Sequence, residues 1–251
     1  MKLVFHELRG QQLLFWRNRE AAFFTFFLPV IFFLIFGAVY GNDYIKKEGV
    51  KGSHFLEAGM IGYGVAATCF AGLAISMVVR REAGILKRVR ATPLPPGAYL
   101  VGVLSSTFLV FLIEALIIIL IGRFLFSVPI PDRLLSLFVV LVIGALAFAA
   151  MGLGITGLIR SAEGSSAVIN AVYLPMAIIS GTFFTPRNYP GFLLAIANVL
   201  PLTHYTKMTR DVMLHNQQFW ADGSAIAVVG LWGAAGLVAA IRTFHWQPRS
   251  A

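Results

Sequence analysis

Apolar residues in this chain gather into six runs of about 18 to 25 residues, separated by short stretches rich in charge, proline and glycine. Crossing the hydrocarbon of a bilayer takes about 20 residues of helix, so the pattern predicts an all-α membrane protein with six spans. The spans fall at about 21–40, 56–79, 98–121, 134–158, 167–184 and 222–241. Pro29 lies inside the first and predicts a modest kink. A seventh apolar piece, 192–200, has nine residues and is too short to cross, so it reads as a re-entrant or interfacial segment closed by Pro201, within an outer region 185–201. Residues 202–221 are polar and aromatic and predict no span. At the start, Leu3, Val4, Leu8, Leu14 and Phe15 form an imperfect apolar stripe against Lys2, Glu7, Arg9, Arg17 and Arg19, interrupted by Gly10. That pattern favours an amphipathic interfacial helix over 1–20, with a plain basic lead into the first span as the alternative.

Composition agrees with a membrane solvent. Hydrophobic residues make up 58% of the 251 and charged residues 12%, about half the charge of an average soluble domain. Mean hydropathy is +0.81. Glycines cluster in the second span (Gly59, Gly62, Gly64, Gly72) and the fourth (Gly152, Gly154, Gly157), where they predict close helix contact rather than lipid-facing surface. A dimer interface through the glycine-rich spans one, two or four is one expected use of them.

Charge sets the orientation. Five of the 20 Lys and Arg residues (Arg80, Arg81, Lys87, Arg88, Arg90) stand between spans two and three, opposed by Glu82 alone. The positive-inside bias puts this loop, 80–97, on the cytoplasmic face, and alternation then puts both termini and the tail 242–251 there too. Cytoplasmic segments so assigned hold 12 basic residues against 4 acids, and external segments 8 against 6, with Glu114 left within the membrane. The net charge of +9 is accounted for by these clusters bordering apolar runs, so no nucleic-acid partner is expected. Cys69 has no intrachain partner to oxidise with and reads as a small buried hydrophobe. No cleavable leader is expected, because polar and amphipathic residues precede the first span.

Candidate chemistry is sparse. The sequence has no phosphate-binding loop, no His-Glu-x-x-His and no Cys/His set at metal-ligand spacing, and its histidines are scattered, so no intrinsic catalysis and no metal are expected. Uphill transport then requires an ion gradient or another polypeptide. Glu114 is the one carboxylate in mid-span. It reads as a partner for a polar residue of another helix or subunit, as a substrate contact, or as an interfacial residue if the span boundary is displaced. In the basic loop, Ile85, Leu86 and Val89 share a helical face, and Pro93, Pro95 and Pro96 stop the helix before Gly97. Either a short amphipathic helix under the membrane transmits a partner's movement, or the loop has only a topological role.

Two stretches resemble the membrane subunits of type-2 ABC exporters, a family that includes drug-resistance permeases and permeases for polysaccharide or lipid-linked glycan export. They are REAGILKRVRATPLPPGAYLVG at 81–102 and SGTFFTPRNYPGFLLAIANVLPLTHYTKMTRDVM at 180–213. The resemblance implies that residues 81–92 form a coupling helix resting on a separate cytoplasmic ATP-binding subunit, with Arg81, Glu82, Gly84, Leu86, Arg88 and Pro93 as the coupling residues. It also implies an outer re-entrant hairpin around Pro186, Tyr189, Pro190, Pro201 and Thr203, although Leu200 replaces the asparagine usual before that proline. The machine implied is a permease homodimer or heterodimer with two ATPases in a bacterial or archaeal cell membrane. ATP is consumed by the partner and no cofactor is bound directly by this chain. A drug-like or lipid-like amphiphile is the first expected substrate, glycan export the alternative, and ion-coupled transport a more remote one.

Overall fold

In the computed structural model, which describes residues 2–46, 48–186 and 189–248, every long element is a helix. The end of the expected tail and two positions of the 185–201 region lie outside the described residues. In chain order the elements are α1 (Lys2–Arg17), α2 (Arg19–Tyr40), a two-stranded ribbon of β1 (Tyr44–Ile45) and β2 (Val50–Lys51), and α3 (Gly52–Gly64). A π-helical stretch, Val65–Gly72, follows, then α4 (Leu73–Glu82), α5 (Ile85–Arg90), α6 (Pro96–Phe126) and α7 (Leu134–Thr156). Last come α8 (Ala162–Ile179), α9 (Gly191–Val199), α10 (Pro201–Met213) and α11 (Gly223–Thr243). Six helices are long and apolar enough to cross a membrane: α2, the continuous 31-residue helix Gly52–Glu82, α6, α7, α8 and α11.

The helix Gly52–Glu82 is the axis of the bundle: 78% of its apolar window is buried inside the chain, against 22% for α2 and 28% for α8 and α11. Its glycines explain this position. A Cβ at Gly59 would lie 2.0 Å from the Thr182 carbonyl oxygen, and one at Gly62 2.3 Å from the Thr206 methyl. The helix runs antiparallel to α6, with Glu57 against Gly122 and Glu114 against Gly64. Helices α7 and α11 pack in parallel, Gly233 on Ala147, Gly236 on Met151 and Gly157 on Thr243. Small residues thus give the backbones their close approach, as membrane packing without a hydrophobic drive requires. Gly59, Gly62 and Gly64 of span two and Gly152, Gly154 and Gly157 of span four thus serve close contacts within the chain, while Gly72 stays exposed.

Several boundaries differ from those read in the sequence. Span two extends through Arg80, Arg81 and Glu82, and only Gly84, at φ +69°, breaks it before the six-residue α5. Span three starts at Pro96 in its first turn, where a missing N–H costs nothing, and continues past Arg123 to Phe126. Span five begins at Ala162 rather than 167, because Ser161 caps it through Oγ and Glu163 favours its N-terminal turn. It ends at Ile179, ahead of Gly181 at φ +77°, rather than at 184. Gly10 does not interrupt α1, which is helical throughout. Within 202–221, residues through Met213 form α10, bedded on the bundle by Leu202, Tyr205, Met208 and Val212.

Both described chain ends lie at the end of the bundle that carries the basic loop. Gln11 of α1 accepts a hydrogen bond from Arg80, and the Trp246 ring packs 6.1 Å from Tyr99. The β1–β2 ribbon, α9 and α10 occupy the opposite end.

Candidate functional site

The basic loop is built on a buried anchor. Arg81 is 1% exposed; its Nη1 donates to the Thr156 carbonyl at 2.9 Å and its Nη2 to the Ile159 carbonyl at 2.5 Å. The Thr156 carbonyl ends α7, where the helix dipole is negative, and also accepts from the Ile159 N–H at 3.3 Å; the Ile159 carbonyl lies in the turn just beyond, so the guanidinium ties that turn to the helix end. Its Nε pairs with Glu82 at 2.7 Å. Leu86 is fully buried in a small core with Leu73, Met77, Tyr99, Val103, Ala149, Leu153 and Ala240. Thr92 closes the loop: its hydroxyl donates to the Val89 carbonyl at 2.7 Å and accepts from the Leu94 N–H at 3.3 Å.

Of the six residues singled out in this loop, the structure therefore divides the set. Arg81 and Leu86 face inward, Glu82 is bound to Arg81, and Gly84 supplies the left-handed turn. Arg88 and Pro93 face outward, together with Ile85, Lys87, Arg90 and Thr92. Ile85, at 41% exposure, is the one large apolar side chain on the outward face, which also carries the cations Lys87, Arg88 and Arg90.

Inside the bundle, Glu114 accepts a hydrogen bond from Thr68 Oγ1 at 2.7 Å, on the π-helical stretch, while its other oxygen has no partner among the described residues. Glu57 is equally buried, and its Oε2 is likewise unpartnered among those residues. Glu57 is not among the residues the sequence singles out, since it stands one residue inside the predicted start of span two. The signal available was a carboxylate beside a glycine-rich run. Neither glutamate forms an ion pair among the described residues. No group of three metal-ligating side chains occurs among them either.

At the opposite end, Arg210 of α10 is 8% exposed; its Nη2 donates to the Gly181 carbonyl and its guanidinium lies 3.6 Å from the centroid of the Phe55 ring. Burial lowers Arg210 to about 10, which keeps it cationic at neutral pH. Thr206 Oγ1 donates to the Ser180 carbonyl at 3.1 Å, and Tyr205 packs edge-on against Phe148 at 5.9 Å over Gly144. Pro186 abuts Gly181, Tyr189 OH donates to the Ile178 carbonyl at 3.2 Å, Pro190 precedes α9, and Pro201 opens α10. Thr203 keeps a buried hydroxyl without a partner among the described residues. Asp222 caps α11 by accepting from the Ala225 N–H at 3.0 Å and pairs with Lys207. Its partial burial acts to raise the pKa, but hydrogen bonds from Lys207, Ser224 and Ala225 outweigh this and hold it well below the usual carboxylate range.

An ABC-2 type transporter family model matches residues 3–214. The putative transport permease YvfS of Bacillus subtilis (strain 168) is 25% identical over 207 residues, 82% of this chain and 83% of its own. The daunorubicin resistance ABC transporter permease protein DrrB1 of Streptomyces coeruleorubidus is 24% identical over 218 residues, 84% of this chain and 73% of its own. ABC transporter G family member 20 of Dictyostelium discoideum is 28% identical over 201 residues, which cover 77% of this chain but 26% of that much longer protein. The family match runs from the first helix through the end of α10 and so takes in both stretches that carried the resemblance, on a bundle with six helices long enough to cross a membrane. The chain therefore belongs to the ABC-2 type transporter family, as a multi-pass membrane permease.

Proposed function

We propose that this chain is the permease subunit of an ATP-driven exporter, moved by a separate cytoplasmic ATPase that docks on residues 85–93. One observation carries the reading: an exposed face of Ile85, Lys87, Arg88, Arg90 and Pro93 sits on a loop that Arg81 and Leu86 fasten to the ends of spans two and four. A push on that face cannot be absorbed by the loop. It passes through Arg81 to α7, and from Gly154 and Gly157 to α11. The coupling surface is thus the outward subset (Arg88, Pro93 and their neighbours), while Arg81, Glu82, Gly84 and Leu86 transmit.

In this reading the basic loop and both termini are cytoplasmic, α1 lies at the headgroups, and α9 with α10 forms an outer re-entrant hairpin. Arg210 and Thr206 clamp that hairpin to span two and to the turn after span five. The cargo is a drug-like or lipid-like amphiphile, in keeping with relatives named for daunorubicin resistance and multidrug transport. Two copies associate through α2 and α8, whose exposed apolar residues include Phe23, Phe24, Ile35, Val168 and Val172.

Gentle purification from native membranes tests the docking claim. An ATPase subunit co-purifies with the native chain and is lost from a variant carrying Ile85→Asp with Arg88→Glu, whose melting temperature stays within a few degrees. An ATPase retained by that variant, or absent from the native preparation, contradicts it.

A further inference from the structure

A cavity of about 500 Å³ lies between the α1–α2 junction, the helix Gly52–Glu82 and α6, and neither the family nor the reading above assigns it an occupant. Its size is that of a small-ligand site. Along the central helix it runs from Arg80 to Thr68, about 18 Å at the rise of an α-helix. Its walls are largely apolar, with Leu73, Val103 and Val110 among them, and its rim at Leu14, Ala21, Gly72 and Val79 is exposed. It is open at that rim rather than sealed in the bundle, and with α4 and α6 placed across the membrane the opening would face the hydrocarbon.

The charge in this cavity is asymmetric. Among the described residues, Arg80 is the one charged residue in the lining, and it stands at the end near the basic loop. Both of its hydrogen bonds use Nη1: one goes to Gln11 Oε1 at 2.6 Å and one to Tyr99 OH at 3.1 Å. No carboxylate pairs with it among the described residues. The nearest acid in this network, Glu7, is held one residue away by the Gln11 amide, which donates to it at 2.6 Å. The Glu7–Gln11–Tyr99 contacts thus fix the guanidinium and leave Nη2 and Nε for a further acceptor. A half-buried cation without a counter-ion at the mouth of an apolar slot favours an anionic head carrying an apolar tail.

We propose that this cavity binds a single-chain anionic amphiphile drawn from the adjoining leaflet, its carboxylate or phosphate on Arg80 and its tail directed toward Thr68. The proposal rests on the membrane placement of α4 and α6 but not on any ATPase, so the two readings fail separately. The tail's far end would meet Thr68, the residue bonded to Glu114, and so would touch the polar contact between the central helix and α6.

The test uses the full-length permease alone in phosphatidylcholine nanodiscs, with a diazirine-bearing palmitate and the matching neutral alcohol as probes. The expected result is crosslinking within 67–80 and 103–110, at least tenfold stronger for the acid. Arg80→Gln removes that preference, whereas Arg88→Gln, on the exposed face of α5, leaves it intact. Thr107→Trp fills the slot with Arg80 in place and suppresses both probes, which keeps the test decisive if Arg80→Gln misfolds. Equal labelling by acid and alcohol, crosslinks confined to other regions, or labelling unchanged by Arg80→Gln or by Thr107→Trp overturns the proposal. Competition by unlabelled dodecyl phosphate but not by phosphatidylglycerol assigns the site to a single-chain ligand; equal competition by phosphatidylglycerol overturns that assignment and makes a bilayer lipid the occupant.

Discussion

At the scale of single residues, two arginines nine positions apart in the same basic loop, Arg81 and Arg90, have opposite roles. Arg81 donates to the Thr156 and Ile159 carbonyls at the end of α7 and in the turn beyond it, so Arg81→Ala removes two buried charge-assisted hydrogen bonds and is expected to cost about 1–3 kcal/mol, read as a lowered unfolding midpoint in detergent. Arg90 is exposed, and Arg90→Ala is expected to move stability by no more than about 0.5 kcal/mol. Nothing in the sequence separates them: both are basic residues beside an apolar run, and only the arrival of the α7 C-terminus makes one of them internal. Thr68→Val removes the one hydrogen bond to Glu114 among the described residues and is expected to cost about 1–3 kcal/mol in the same measurement. At the outer end, the depressed pKa of Asp222 means that its contribution is complete above the unfolded carboxylate value, about 3.9, and is lost as pH falls through the lower folded value. The midpoint of native protein should therefore fall more steeply on acidification below about pH 4 than that of Asp222→Asn. Parallel acid profiles would remove Asp222 from the account.

At the scale of elements, the six long apolar helices were legible because a bilayer demands length and hydropathy that local sequence displays directly. α10 was not. Its residues read as polar and aromatic, and its buried stripe (Leu202, Tyr205, Met208, Val212) becomes apolar surface only when span two and α7 are there to receive it. The π-helical stretch was equally hidden, since its extra residue per turn leaves no mark on hydropathy. It widens the central helix where Thr68 turns to Glu114 and where Gly72 borders the cavity, in line with the tendency of such segments to sit at functional places. Gly59 gives the sharpest test of element packing. Gly59→Ala puts a methyl on the Thr182 backbone carbonyl, which cannot rotate away, and overpacking of this kind costs about 1–3 kcal/mol. Gly97→Ala, which meets nothing within 4 Å, is the matched control and should leave the melting temperature in place.

At the scale of the whole molecule, the parallel α7–α11 pair and the antiparallel contact between the central helix and α6 agree with simple alternation of the spans. Both described ends and the basic loop then share one face. The interface proposed for a second copy, through α2 and α8, has a direct test. Cysteine pairs placed at Phe24 or Val172 should crosslink between copies in native membrane, and pairs at Leu237 on α11 should not. In the proposed function, motion enters at residues 85–93 from an ATPase. Its most direct test is flux in vesicles containing the permease and its co-purified ATPase, loaded with a fluorescent amphiphile and given either ATP or an ion gradient. Transport should need ATP and stop in the Ile85→Asp, Arg88→Glu variant while the fold survives. Transport driven by a proton or sodium gradient, persisting without the ATPase, would contradict it.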